Sequence, residues 1–449
     1  MILLSVRWRL VRSKILAKKR YLLMLEISKD SERLNGKIRP QGFTKISKRA
    51  DSSRETMRKA IILSGHCTGL ALIRGLGAAG VPVSIVYYDR NEMGHLSKYV
   101  EERYLIKDPE EHEDEFIDFF CSGLKGHEGS VILPADDTTL AVTSRYKGLL
   151  EDHGYIVGCS DWNVVHKVLE KIHTYRVAEK IGVPVPKTDL IQDVDKIDGI
   201  LENTPFPCLV KPCVSHQYHK QFGHKLKKVF SVDEAVRAIR KALDQNLDVM
   251  VQEYIPSEEN NGVNYNSYMW DGQILLEHTA EKLRMTKGGF GVPNVVVNRN
   301  IEAIKELAPP LLRKIGLTGY SCTEFKKDPR DNLYKLMEIN GRYNRSGLQP
   351  ISAGINFPWF MYCHLTGKTL PVFTPVRETV YWIDEFNDLA SEAARLFSRK
   401  IGIREFFRPY LRKHVYAVYD KNDLLPFFKR AYSSFAQAVK KPFTMGRLS

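Results

Sequence analysis

The chain has 449 residues, of which 43% are hydrophobic and 27% charged, and a formal net charge of +14; this is the balance of a globular protein with room for two or three domains. No run of about 18 apolar residues occurs, which excludes an ordinary membrane-spanning helix, and Arg7, Arg9, Arg12 and Lys14 interrupt the apolar core that a secretory leader needs. The seven cysteines are scattered and form no Cys-x-x-Cys pair, so they indicate neither a zinc site nor a disulfide framework and fit a reducing, cytoplasmic setting.

In chain order, residues 1–56 lack steady periodicity and read as a basic N-terminal extension, either loose or the product of a start placed too far upstream of Met57. The charge is uneven: residues 1–60 carry +12, residues 391–449 carry +9, and the body between them carries −7. A protein working on nucleic acid holds positive charge across its working domain, so nucleic acid is not the expected substrate. The basic ends fit solvated tails first, and peripheral contact with an anionic membrane surface or a polyanion second. From Ala60 to about 160 the pattern alternates: an apolar run at 60–63, a helix at 70–79 closed by Gly80, a β-branched strand at 81–87 and a strand at 131–133. That order predicts a small domain with a parallel sheet covered by helices. Its Ser64-Gly65-His66-Cys67-Thr68-Gly69 turn is not a Gly-x-Gly-x-x-Gly fingerprint, so a dinucleotide is not indicated. Asp137, in Pro134-Ala135-Asp136-Asp137, is expected to cap the next helix ahead of a contact with substrate.

Residues 162–182 read as helical. Strands follow at 208–211, 249–255, 265–270 and 273–278, with Asp271-Gly272 as a hairpin turn. A helix at 302–315 precedes strands at 323–326 and 334–339. The C-terminal 366–449 is aromatic-rich, and 423–435 places Leu424, Leu425, Phe427, Phe428, Tyr432 and Phe435 on an amphipathic helix. Packing on the body or on a homodimer mate is the expected fate of its apolar face, ahead of membrane docking.

The chemistry concentrates in Thr323-Glu324-Phe325-Lys326 and Leu336-Met337-Glu338-Ile339-Asn340-Gly341-Arg342. On two paired strands Glu324 and Glu338 can face one side, and Asn340, two residues past Glu338, points the same way. Two carboxylates and an amide oxygen are hard ligands of the kind Mg²⁺ uses when it also holds phosphates, and Arg342 is placed to steady a transferring phosphoryl group.

These residues resemble the closing signature of the ATP-grasp superfamily. The resemblance extends upstream in order over about 57–365: Lys171 before Gly182-Val183-Pro184, Phe206 to Pro212 ending in Lys211-Pro212, and Val251-Gln252-Glu253-Tyr254-Ile255-Pro256 as the hinge strand. It implies a fold of mixed α/β and α+β class: a Rossmann-like pre-ATP-grasp domain (57–160), a two-lobed ATP-grasp domain (161–365) and a C-terminal extension (366–449). It implies Lys171 and Lys211 on the α- and β-phosphates of ATP, Gln252, Glu253, Tyr254 and Ile255 around adenine, Glu259 on the ribose, and Glu324, Glu338 and Asn340 on Mg²⁺ or Mn²⁺. Arg342 and Arg284 are the implied catalytic residues, with Arg284 in the basic, glycine-rich stretch 282–291 that looks substrate-facing. Arg345-Ser346-Gly347 is a second substrate candidate. The family's glycine-rich lid is replaced by a glycine-poor stretch, 213–225, whose His216, His219 and His224 read as lid rather than metal site. The activity implied is ADP-forming ligation of a small, amino-acid-like carboxylate and an amine. The alternatives are a bicarbonate- or formate-using relative on the same nucleotide site and a non-catalytic ATP-binding regulator.

Overall fold

The computed structural model describes residues 57–440, except 125, 214–221, 223–225, 257–261 and 287–291, with 437–440 described by backbone alone. The expected extension 1–56, most of the expected lid, Glu259 and the glycines of 288–291 therefore lie outside the described residues.

The first sheet is parallel throughout, with β1 (Ala60–Leu63), β2 (Val83–Tyr87), β3 (Val100–Leu105), β4 (Val131–Pro134) and β5 (Ile156–Val157) in the order β3-β2-β1-β4-β5. β1 and β4 are wholly buried, which is why they read as continuous apolar runs rather than alternating ones. β1 leads into helix α1 (Cys67–Gly77) through a turn so close that a Cβ on Gly69 would sit 1.9 Å from the Ser64 carbonyl oxygen. β4 leads into α2 (Asp137–Arg145). The cap of α2 is Asp136, which accepts from Thr139 N at 2.8 Å, and not Asp137 as expected. The shift leaves the Asp137 carboxylate on the helix's first turn.

The predicted helix 162–182 is two helices, α3 (Trp162–Leu169) and α4 (Lys171–Lys180), parted by Glu170 at φ −95°, ψ 100°. The break sets Lys171 at the start of a helix with its own direction. A four-stranded antiparallel sheet follows: β6 (Thr188–Ile191), β7 (Cys208–Pro212), β8 (Lys227–Val229) and β9 (Val249–Glu253), in the order β6-β9-β7-β8. The amphipathic helix α5 (Val232–Leu243), capped by Ser231, lays Ala235, Ala238, Ile239 and Ala242 on its apolar side against Val210, Val249 and Val251.

The third sheet has seven strands in the order β14-β13-β10-β11-β12-β15-β16: β10 (Gly262–Trp270), β11 (Gln273–Met285), β12 (Pro293–Asn298), β13 (Gly319–Lys327), β14 (Tyr334–Asn340), β15 (Tyr381–Ile383) and β16 (His414–Tyr416). The β10–β11 turn has positive φ at both Asp271 (47°) and Gly272 (69°), the geometry that matches hairpin twist. Strand alternation divides the two faces. Val263, Tyr265 and Phe325 pack on α4 and on α6 (Glu302–Ile315), whereas Asn264, Glu324 and Glu338 share the other face as direct cross-strand neighbours.

The C-terminal extension adds α7 (Glu385–Phe397), α8 (Ile403–Phe407) and α9 (Leu425–Lys440). It is fastened to the first sheet's α1 by Arg74, which donates to Asp423 at 3.0 Å and to the Val418 carbonyl at 2.8 Å. Of the apolar residues expected on 423–435, Phe427 packs inward near Phe386, but Leu424, Leu425, Phe428, Tyr432 and Phe435 are exposed. Among the described residues no helix is long and apolar enough to cross a membrane.

Candidate functional site

The register of β13 and β14 sets Glu324 directly opposite Glu338 and Cys322 opposite Asn340. Directly opposed residues share a face, so the two carboxylates and the amide form one patch. Asn340 Nδ2 lies 3.5 Å from Glu324 Oε1, which leaves the Asn340 carbonyl oxygen as its ligand atom. On β10, Asn264 stands opposite Glu324, and its buried Oδ1 has no hydrogen-bond partner. Beneath, Asn266 Oδ1 accepts from Tyr320 at 3.0 Å and from Asn344 at 2.8 Å, a buried network that fixes the floor.

Three ammonium groups face this patch. Lys171, at the head of α4, lies 3.3 Å from Glu338 Oε1. Burial opposes its charge, but Glu338, with Tyr175 and Asp137, outweighs burial and raises its pKa. Lys211, at the end of β7, donates to Gln252 Oε1 at 3.0 Å and to the Tyr175 hydroxyl at 3.3 Å. Tyr175 in turn donates to the Met337 carbonyl at 2.7 Å, and Gln252 donates to Thr188 at 2.8 Å. Burial and the neighbouring Lys171 push Lys211 down to about 7, with Glu338 opposing. Lys282 on β11 is the third, bonded to Glu324 and buried. Burial again opposes charge, yet Glu324 foremost raises its pKa. Its aliphatic stem crosses Gly262, where a Cβ would come 3.1 Å from Lys282 Cδ. For Glu338, burial works against ionisation, but Lys171, Lys211 and Arg342 hold its pKa below the ordinary value.

Arg342 closes one side. Its Nε lies 2.9 Å from Asp137 Oδ1 and its NH2 group 3.3 Å from Oδ2, a two-point grip between the seven-stranded sheet and the head of α2. Arg345 binds Asp384 and keeps a buried Nε without a partner.

At the hinge, Glu253 sends its side chain to Lys335 at 3.0 Å and Arg330 at 3.2 Å, so only its backbone is left to face a ligand. Lys228 sits 3.5 Å from the Tyr254 ring centroid, an aromatic–cation stack. The Ile255 carbonyl accepts from Lys326 at 3.2 Å, and burial, followed by Lys228, lowers Lys326 to about 8.

The structure thus brings Lys171, Lys211, Glu324, Glu338, Asn340 and Arg342 together, with Gln252 as the support of Lys211. It does not bring Arg284 to them. Arg284 lies in a buried bond to Asp388 at 2.9 Å and donates to the Glu405 and Phe406 carbonyls of the C-terminal extension. The pairing of β11 with β12 slips between Lys282 and Arg284, and the fully buried Asp388 and nearby Glu392 supply the partners. Sequence reading chose Arg284 and passed over Lys282. Continuing the β11 alternation from His278 through Ala280 would have pointed Lys282 to the carboxylate face. Among the described residues no group of three or more His, Cys, Asp or Glu is placed to hold a metal. Two carboxylates and an amide oxygen still suit Mg²⁺ where phosphate oxygens complete the shell, and the orphaned Asn264 oxygen adds a further hard donor to the same face.

No family model matches the chain. It is 27% identical over 302 residues to a D-aspartate ligase of Enterococcus faecium (strain Aus0004), covering 63% of this chain and 67% of that protein. It is 24% identical over 308 residues to a formate-dependent phosphoribosylglycinamide formyltransferase of Ignicoccus hospitalis, covering 66% and 72%. These likenesses all indicate the ATP-grasp carboxylate–amine ligase superfamily. The ATP-grasp fold is matched at TM-score 0.56 by an L-amino acid ligase from Bacillus licheniformis, 16% identical, over 73% of this chain and 79% of that one. Read as an ATP-grasp protein, the chain has its four-stranded and seven-stranded sheets supplying Lys211 from one side and the carboxylates from the other.

Proposed function

We propose that this chain is an ADP-forming ligase that joins a small, amino-acid-like carboxylate to an amine. The observation that carries the reading is the cross-strand pair Glu324–Glu338 faced by Lys171, Lys211 and Lys282. Such a face suits a nucleotide's phosphates and the metal between them. Residues 57–160 read as the pre-ATP-grasp domain, 161–365 as the ATP-grasp domain and 366–449 as a C-terminal extension; the β3-β2-β1-β4-β5 parallel order supports the first of these.

In this reading Lys171 and Lys211 hold the α- and β-phosphates as point charges. The hinge backbone at Glu253 and Ile255 receives adenine beside Tyr254, and Glu259 takes the ribose. Glu324, Glu338 and Asn340 would hold Mg²⁺, which supplies charge neutralisation at the β- and γ-phosphates when bound. The substrate carboxylate attacks the γ-phosphorus and displaces ADP to give an acyl phosphate, and the amine then attacks the acyl carbon, expels phosphate and gives up a proton to form the C–N bond. Lys282 and Arg342 stand where negative charge builds up, and the unpartnered Nε of Arg345 is a candidate for the substrate's own carboxylate. The scattered free cysteines support a cytoplasmic setting.

ADP release should require both an amino acid and an amine acceptor, and Glu338→Gln should lower it on the order of 10²–10³-fold while the protein still unfolds cooperatively. Full turnover in that variant would overturn the assignment. Release supported by bicarbonate or formate in place of the amino acid would favour a one-carbon relative of the same site. Nucleotide binding without turnover on any of them would favour a regulator.

A further inference from the structure

We propose that residues 397–412 form a docking face for an anionic lipid surface. Four large apolar side chains stand in water along this short stretch: Phe397 at 86% exposed, Ile403 at 64%, Phe407 at 44% and Leu411 at 79%. Exposed large side chains are ordinary one at a time, but a cluster marks an interaction surface. Beside three of them runs a basic row: Arg404, Arg408 and Arg412 each follow an exposed apolar residue and repeat its spacing of four. Arg399 and Lys400 add to it, and Glu405 is the stretch's single acid.

The exposure does not come from loose packing. The inward residues of the same stretch are well held: Ile401 and Phe406 are buried, the Tyr410 hydroxyl donates to Asp388 at 2.8 Å, and Arg284 grips the Phe406 carbonyl at 3.0 Å. The body holds these inward residues and leaves the apolar and arginine rows exposed.

Charge selects the occupant. A second copy of the same face would set five cations against five. A neutral protein groove would satisfy the apolar row and leave the arginines without partners. An anionic bilayer answers both rows, since acyl chains accept the apolar side chains at the headgroup boundary and lipid phosphates pair with the arginines.

The test is co-sedimentation of the full chain with vesicles of phosphatidylcholine alone and of phosphatidylcholine with phosphatidylglycerol in a three-to-one ratio. Binding is expected only to the second, and weaker in high salt. The triple variant Arg404→Gln, Arg408→Gln, Arg412→Gln should lose about fivefold per arginine, on the order of a hundredfold together. The double variant Phe407→Ser, Leu411→Ser should lose binding while keeping its charge. Both sets of positions are on the surface, so the urea unfolding midpoint should stay in place. Equal binding to both vesicles, or binding indifferent to either variant, would overturn the proposal. Binding to heparin as tight as to the anionic vesicles, and unchanged in the Phe407→Ser, Leu411→Ser variant, would assign the face to a soluble polyanion instead. A concentration-dependent dimer in sedimentation velocity that the same variant abolishes would assign it to a second copy.

Discussion

Two sets of buried ion pairs differ in what their charges are arranged for. In the C-terminal fastening, Arg74 is bonded to the Asp423 carboxylate and to two backbone carbonyls, while Asp423 also accepts from Ser97 at 2.8 Å and from Lys98 N at 2.9 Å. Both side chains are almost wholly buried, and each satisfies the other. On the sheet face, three lysines crowd two carboxylates, Lys211 is driven towards neutrality and Asn264 holds an oxygen with no partner. The first set is complete in itself. The second is incomplete in a way that a polyanion with a divalent cation would complete.

The comparison predicts opposite outcomes for loss of one charge. Asp423→Ala should be the most damaging to stability, about 3–5 kcal/mol, because it strands the buried Arg74 guanidinium; urea unfolding measures it, and a loss under about 1 kcal/mol would show the pair to be dispensable. Glu338→Gln should be weighted the other way, costing activity on the order of 10²–10³-fold with a smaller loss of stability than Asp423→Ala, because Arg342 keeps Asp137 as its partner. Lys282→Met keeps the stem over Gly262 and removes the charge. It should lower the rate of ADP release by roughly tenfold to a hundredfold, with a smaller change in nucleotide affinity, if its charge is used mainly as the phosphoryl group transfers. An equal loss in affinity and rate would make Lys282 a plain phosphate-binding residue.

The smallest effect is the pH dependence. Lys211 has a folded pKa near 7 against an ordinary 10.5. Below pH 7 it is charged in folded and unfolded chains alike, and its burial costs stability. As pH rises from about 7 to 10.5 the folded chain sheds the proton first, and that cost is relieved. Nucleotide phosphates should restore the charge, so ADP binding takes up a proton and weakens by up to about tenfold per pH unit above 7. Calorimetry in two buffers of different ionisation heat measures the uptake, and Lys211→Met should abolish it.

Much of the site was legible because strand alternation is a local rule. Glu324, Glu338 and Asn340 could be set on one face from spacing alone, and the 302–315 helix and the Asp271-Gly272 turn follow from local signals in the same way. The misplaced features share a different cause. Arg284 and Lys282 lie two apart on one strand, and the slip in pairing that sends one to Asp388 and the other to Glu324 depends on β12 and on a helix a hundred residues away. Asp136 and Asp137 are adjacent candidates for one cap, and the choice leaves the other for Arg342. The apolar face at Leu425, Phe428 and Tyr432, expected to pack on the body or on a homodimer mate, stands exposed, since amphipathicity records that a face is apolar and not what covers it.

The residues by themselves determined the succession of helices and strands and the oxygen-bearing face, because backbone geometry at each position depends on near neighbours. Tertiary structure alone decided that Lys282 joins Lys171 and Lys211 at that face, which arginine is spent on the C-terminal extension, and which apolar rows remain in water, because those depend on the pairing of segments far apart in the chain.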